Sequence, residues 1–212
     1  MKPFNNYDEA KKEAQMKPSE KLPAGAYVCK VMAVRYEKGK DGKSDVIVLQ
    51  IDVTEGEHKD FFKKQYEENT AEDKKWKGRV NIYVPTDDGS DKDKWTKKSF
   101  AGWMDSFEKS NKGFAWDWNE NKLKGKTVGI VFGTTGAVIE GREVVYTEPR
   151  FGVPAEDVRS GKAPAAKFKA RDGYTGKGAT TAPQSAYKSP SDIVNDGFMT
   201  VADDNTDIPF PF

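Results

Sequence analysis

Along residues 24–151 the apolar side chains recur mostly at every second position, and only once at helical spacing. Successive strand side chains point to opposite faces, so this pattern commits most of the chain to sheet with one face buried. The first segment, "AYVCKVMAVRYEKG", is a long apolar run with β-branched residues, and the "KGKDGKS" after it carries Asp41-Gly42, a strong hairpin turn. In "DVIVLQIDVTEG", Ile47, Leu49, Ile51 and Val53 share one face. In "GRVNIYVP", Val80, Ile82 and Val84 point one way while Arg79, Asn81 and Tyr83 point the other. The exception is "KWTKKSFAGWMDSFEKSN", where Phe100, Trp103, Met104 and Phe107 fall at i, i+3, i+4 and i+7, one apolar helix face. "KTVGIVFG" and "REVVYTEPRFGVP" supply two last strands around a Gly133–Gly141 turn, and residues 56–77 form a charged, aromatic-bearing insertion that reads as partly helical.

The resulting order is β-β-β-α-β-β, without internal repeats. Five strands with one helix between the third and fourth can close into a small Greek-key barrel whose end the helix plugs. That is the connectivity of the OB-fold, which binds single-stranded nucleic acid or sugars on its strand 2–3 face and adjoining loops. A five-stranded open sheet with one helical face stays open as an alternative. The expected fold is thus mainly β: a five-stranded OB-fold-like barrel over residues 24–162, after an N-terminal lead-in of residues 1–23.

Composition argues against one core throughout. Hydrophobic residues make up 36% of the 212 and charged residues 33%, which suits a folded part with a polar tail. Residues 163–191 are rich in Ala, Gly, Thr, Ser and Pro, lack apolar periodicity, and read as a flexible linker. Lys167, Lys169, Arg171, Lys177 and Lys188 stand there against Asp172, a balance of +4. Residues 192–212 carry Asp192, Asp196, Asp203, Asp204 and Asp207 and no cation, a balance of −5. The whole chain is only +1, so any surface for a polyanion must be local. No run approaches the ~18 apolar residues of a membrane span and the N-terminus lacks a signal core, so a cytoplasmic protein is expected.

The chain is poor in catalytic parts. Cys29 is the sole cysteine, which excludes an intramolecular disulfide and a cysteine-clustered zinc site. The sole histidine, His58, lies among charges in "GEHKDFF" and reads as solvated. "DDGSDKDK" lacks the Gly and final Glu of a calcium loop and reads as a solvated loop. "GYTGKGATT" departs from a phosphate-binding loop, with Arg171 at its first glycine position, Gly178 in place of Ser or Thr, and no preceding strand. Neither an enzyme nor a cofactor or metal is expected.

Aromatic residues beside cations supply the positive signal. Tyr36 follows Arg35, Tyr83 shares a face with Arg79, and Tyr146 shares one with Arg142 and Arg150. Single-strand binders need rings on which bases stack and cations that track phosphates. The candidate DNA-binding set is Lys30, Arg35, Tyr36, Arg79, Tyr83, Arg142, Tyr146 and Arg150. Trp103, Phe100 and Phe107 read as core from their helical spacing, while Trp116 and Trp118 in "FAWDWNENK" are equally readable as wall or as stacking surface.

The strongest signal is the end of the sequence, "DDNTDIPFPF". Asp203, Asp204 and Asp207 would attract a basic partner surface, and Ile208, Pro209 and Pro211 form a stiff extended segment. Phe210 or Phe212 would then fill an apolar pocket, since solubility does not call for terminal phenylalanines. This stretch resembles the C-terminal tip of bacterial single-stranded-DNA-binding proteins, with Asp207, Ile208, Pro209 and Phe210 matching residue by residue. Pro211-Phe212 depart from that pattern and leave either phenylalanine as the anchor. The region "LPAGAYVCKVMAVRYEKGKDGKSDVIVLQIDVTEGEHKD" is similar to a family encoded by phages and mobile elements of Gram-positive bacteria, whose members accompany recombination genes. The resemblance implies sequence-independent single-stranded-DNA binding, with the tip recruiting replication, recombination and repair enzymes and no membrane partner. A homo-oligomer, a recombination mediator or annealing accessory that mainly binds a recombinase, and a metal-dependent nuclease within residues 56–95 remain open.

Overall fold

Each period-two segment forms a strand. In a computed structural model, residues 5, 7, 20–40, 43–71 and 73–176 are described. The Asp41-Gly42 turn and the 192–212 tail with its docking residues lie outside them. Strands β1 (Gly25–Glu37), β2 (Val46–Val53), β3 (Arg79–Tyr83), β4 (Thr127–Ile139) and β5 (Arg142–Val153) are joined by a short β6 (Lys169–Ala170). The helices are α1 (Phe61–Glu68) in the insertion, α2 (Asp91–Ser110) and α3 (Ala155–Arg159), with a 3-10 turn at Glu120–Leu123.

The fold is mainly β, one six-stranded sheet in the order β3-β2-β1-β4-β5, antiparallel throughout, with β6 added parallel to β4. The expected closed barrel is not formed: β3 and β5 end the path, and no pairing joins them among the described residues. A cleft of about 260 Å³ lies between them, lined by Leu22, Phe61, Phe62, Phe132 and Pro149, with Lys21, Arg79 and Tyr146 at its rim. The insertion places Phe61 and Phe62, both buried, where closing strands would meet. Pro149 moreover brings no N–H to that edge.

One face of the sheet carries the core: Cys29 and Val31, Leu49, Ile51 and Val53, Val80 and Ile82, and Val128 and Ile130 are all buried. Onto it α2 lays Phe100, Trp103, Met104 and Phe107, also buried, as their spacing predicts. Gly152 of β5 is required here, because a Cβ would come within 2.5 Å of the Trp103 ring. Burial pushes the Cys29 thiol far up, which makes it an inert core residue.

Two acidic residues, Asp93 in the stretch expected to be a solvated loop and Asp52 on β2, are structural. Asp93 is buried and accepts hydrogen bonds from the Thr86 and Asp87 amides at 3.0 and 2.9 Å. Lys97 pairs with it at 2.9 Å and, ahead of the opposing cost of burial, holds its pKa down at about 2. Asp93 also donates its own amide to the Ser90 cap of α2, so "DDGSDKDK" is a folded helix start rather than a free loop. Asp52 accepts from the Phe62 and Lys63 amides at the start of α1, satisfying two N–H groups that the helix itself cannot pair. His58 is likewise not simply solvated: its ring packs edge-on against Tyr27 at 5.6 Å and Phe61 at 6.1 Å.

The last hairpin is longer than expected. Residues 133–139 continue β4, and the chain reverses only at Glu140-Gly141, both with positive φ as a two-residue hairpin turn requires. The fold also runs past residue 162. β6 pairs Lys169 with Thr135 and Ala170 with Gly136, and the Arg171 amide donates to the Gly136 carbonyl at 2.8 Å. Residues 163–176 were expected in the linker because they lack periodicity, but β6, the Arg171–Glu148 pair, the Tyr174 ring over Gly136 and the hydrogen bonds from Thr175 to Glu143 seat them.

Candidate nucleic-acid interface

The face of β1–β3 opposite the core collects charge and one exposed ring. Cross-strand partners share a face, so the register defines three rows: Ala33, Gln50 and Arg79; Arg35, Val48 and Asn81; Glu37, Val46 and Tyr83. Arg35 contacts Glu37, and Arg79 reaches the same carboxylate at 3.6 Å. Arg79 Nε donates to Asn81 Oδ1 at 2.9 Å, which aims the guanidinium along the face. Both arginines stay about half exposed or more, and Tyr83 is 36% exposed beside them. Two guanidiniums on one carboxylate leave a net positive charge next to a ring, with the amides of Gln50 and Asn81 between. Such a surface can hold phosphates and stack a base.

The other sequence-derived candidates scatter. Tyr36 lies opposite Ile47, which lies opposite Ile82, so it belongs to the core side of the sheet rather than to the Arg35 face. Its hydroxyl bonds Asp45, which raises the Tyr36 pKa, as do burial and the nearby carboxylates. Adjacent strand residues must point apart, so Arg35 and Tyr36 could not both serve one face. Lys30 is exposed on the outer side of β1, beyond the bulge at Met32. Arg142 is exposed at the tip of the β4–β5 hairpin, opposite Ile139.

Arg150 is a structural cation rather than a free one. It is the extra residue of the β5 bulge, buried to 8% exposure, and lies across Gly133, where a Cβ would come within 2.7 Å of its Nε. Its guanidinium pairs with Glu148 at 3.0 Å and donates to the Thr134 carbonyl at 3.0 Å and to Thr135 Oγ1. Arg171, beside β6, takes the other oxygen of Glu148 at 3.0 Å and covers the Tyr146 ring at 5.7 Å. Burial and the Glu148 charge raise the Tyr146 pKa. Tyr146 and Arg150 therefore sit together, as their parity predicts, but inside a network closed by residues assigned to the linker.

Glu37, Gln50 and Asn81 complete the face and were not singled out from sequence. The parities of β2 and β3 point to Gln50 and Asn81, but the placing of Glu37, with Arg35, depends on the one-residue shift at Met32, which only the pairing reveals. Among the described residues no three His, Cys, Asp or Glu side chains are grouped as a metal site would need. No helix among them is long and apolar enough to cross a membrane. The chain matches no protein-family model and no curated protein.

Proposed function

We propose that this protein binds single-stranded DNA without sequence preference, protecting it during replication and recombination while its C-terminal tip recruits partner enzymes. The observation that carries the reading is the outer β1–β3 face, where Arg35, Arg79 and Tyr83 stand exposed around Glu37. The strand order 3-2-1-4-5 with a helix between β3 and β4 supports an OB-fold, a partly open barrel that uses this strand 2–3 face. In this reading the β3–β5 seam is filled by side chains of the insertion instead of by hydrogen bonds. Phosphates would lie along Arg35 and Arg79, a base would stack on Tyr83, and Asp203, Asp204, Asp207 and the Ile208–Phe212 segment would dock on the enzymes of a bacterial host cytoplasm.

Titration of oligo(dT) and of a duplex of equal length across a salt series tests this. Single-strand affinity is expected to fall with log salt, by a slope of about 0.7 per neutralised phosphate, with little duplex binding. Tyr83→Ala is expected to cost ~1–3 kcal/mol of binding and leave the melting temperature near that of the parent. Equal affinity for duplex and single strand, or a Tyr83 variant that melts early but binds normally, overturns the reading.

A further inference from the structure

Trp118 lies outside the face described above and is, at 75%, the most exposed large apolar side chain among the described residues. Its backbone stands at φ +65°, a left-handed conformation disfavoured for a bulky L-residue. The ring is nevertheless held in place. It stacks on Phe100 with centroids 5.8 Å apart and planes at 11°, and Trp116 closes the cluster at 6.2 Å. Phe100 belongs to the buried stripe of α2, so the indole has one face backed by the core and the other turned to solvent.

The surroundings favour a nucleobase over a protein surface. Asp117, Asn119, Asn121 and Lys122, its neighbours in sequence, are all exposed and polar. A protein interface of ordinary size needs a broad complementary patch, whereas a base needs one ring face and a cation for its phosphate. Residues 112–126 hold four lysines, Lys112, Lys122, Lys124 and Lys126, against Asp117 and Glu120. The same segment is tied to the β1–β3 sheet. Gly125 N donates to the Val31 carbonyl at 2.8 Å, Val31 N donates to the Lys126 carbonyl at 2.9 Å, and Glu120 is near enough to Tyr36 to act on its hydroxyl.

We propose that Trp118, backed by Phe100 and Trp116, is a second base-stacking platform, reached by the strand after it leaves the β1–β3 face past Arg35 and Tyr36. This rests on the single-strand reading above, and the test separates the two. Full-length protein and its Trp118→Gly, Trp118→Phe and Tyr83→Ala variants are titrated with short and long oligo(dT), about 6 and about 25 nucleotides, lengths chosen to bracket one domain's site. Glycine suits the left-handed backbone, so Trp118→Gly keeps the fold, which a melting curve verifies. Trp118→Gly should lose about 5- to 100-fold on the long oligonucleotide and nothing on the short one, Trp118→Phe should restore most of the loss, and Tyr83→Ala should weaken both. If Trp118→Gly binds both lengths like the parent while Tyr83→Ala is impaired, the platform is wrong and the single-strand reading stands. If the parent binds neither length, that reading fails and the platform with it. Normal DNA binding by Trp118→Gly together with loss of a host protein in a pull-down assigns the ring to a protein partner and overturns the proposal.

Discussion

Glu37 sits between the two arginines of the outer face and is the residue that competes most directly with a phosphate. Replacing it with glutamine leaves the size unchanged and frees both guanidiniums. Exposed ion pairs of this kind are worth ~0.2–1 kcal/mol, so Glu37→Gln is expected to tighten oligo(dT) binding by up to about five-fold at low salt. An unchanged or weakened affinity in the same titration means that the strand does not lie on Arg35 and Arg79. Asp93 gives a second test at this scale. Its carboxyl is held at about 2 in the folded state, chiefly by Lys97, against an ordinary value of ~3.9 unfolded. A depressed carboxylate stabilises the fold fully above the unfolded value and loses that contribution as pH falls from about 4 through 2. Asp93→Asn should therefore lower the melting temperature at pH 7 and flatten its fall between pH 4 and 2. Parallel melting curves of parent and variant across that window would show no flattening if Asp93 were merely solvated.

At the scale of elements, β6 and the residues flanking it have the most to test. The long β4 pairs with β1 through its first half and with β6 through its second, so β6 continues the row that β1 leaves. Ending the chain after residue 162 removes β6, the Arg171–Glu148 pair at 3.0 Å and the Tyr174 ring that covers Gly136. Glu148 is only 18% exposed and would keep Arg150 as its sole cation in that network. With a net hydrogen bond at ~0.5–1.5 kcal/mol, the loss is expected to be about 1–3 kcal/mol in a urea titration. A chain ended after residue 176 should unfold with the midpoint of the full-length protein. Equal midpoints for the two truncations mean that β6 contributes nothing to stability.

Over the whole molecule, charge is nearly balanced while its distribution is not. The chain totals +1, yet residues 192–212 hold five aspartates without a cation. Removing residues 203–212 deletes three of those carboxylates and both terminal phenylalanines. Single-strand affinity should stay the same or rise slightly, most visibly at low salt where charges are least screened. Recruitment of partner enzymes should be lost, because the apolar anchor goes with the acidic run. A pull-down from host extract beside an oligo(dT) titration reads both effects, and loss of DNA affinity with partners retained would contradict the docking reading.

Periodicity alone settled the parts that depend on one segment at a time. The alternation of Ile47, Leu49, Ile51 and Val53, and of Val80 and Ile82, marked the buried face of two strands, and the stripe from Phe100 to Phe107 marked the helix that covers them. Burying apolar area has the same sign wherever the segment lies, so such patterns survive into the fold. Whatever depends on which distant segment comes alongside was legible only in the tertiary structure. The Met32 bulge decided that Arg35 and Glu37, rather than Tyr36, join Gln50 and Arg79 on the outer face. Contacts with Glu148 and Thr135 turned Arg150 from a candidate ligand cation into a buried strut, and pairing with β4 drew residues 163–176 into the domain. Phe61 and Phe62 of the insertion line the cleft between β3 and β5, and the sheet does not close into a barrel. A charged or aromatic residue carries no sign in the sequence, since the same Arg binds a phosphate when exposed and a glutamate when covered, and only three-dimensional packing chooses between them.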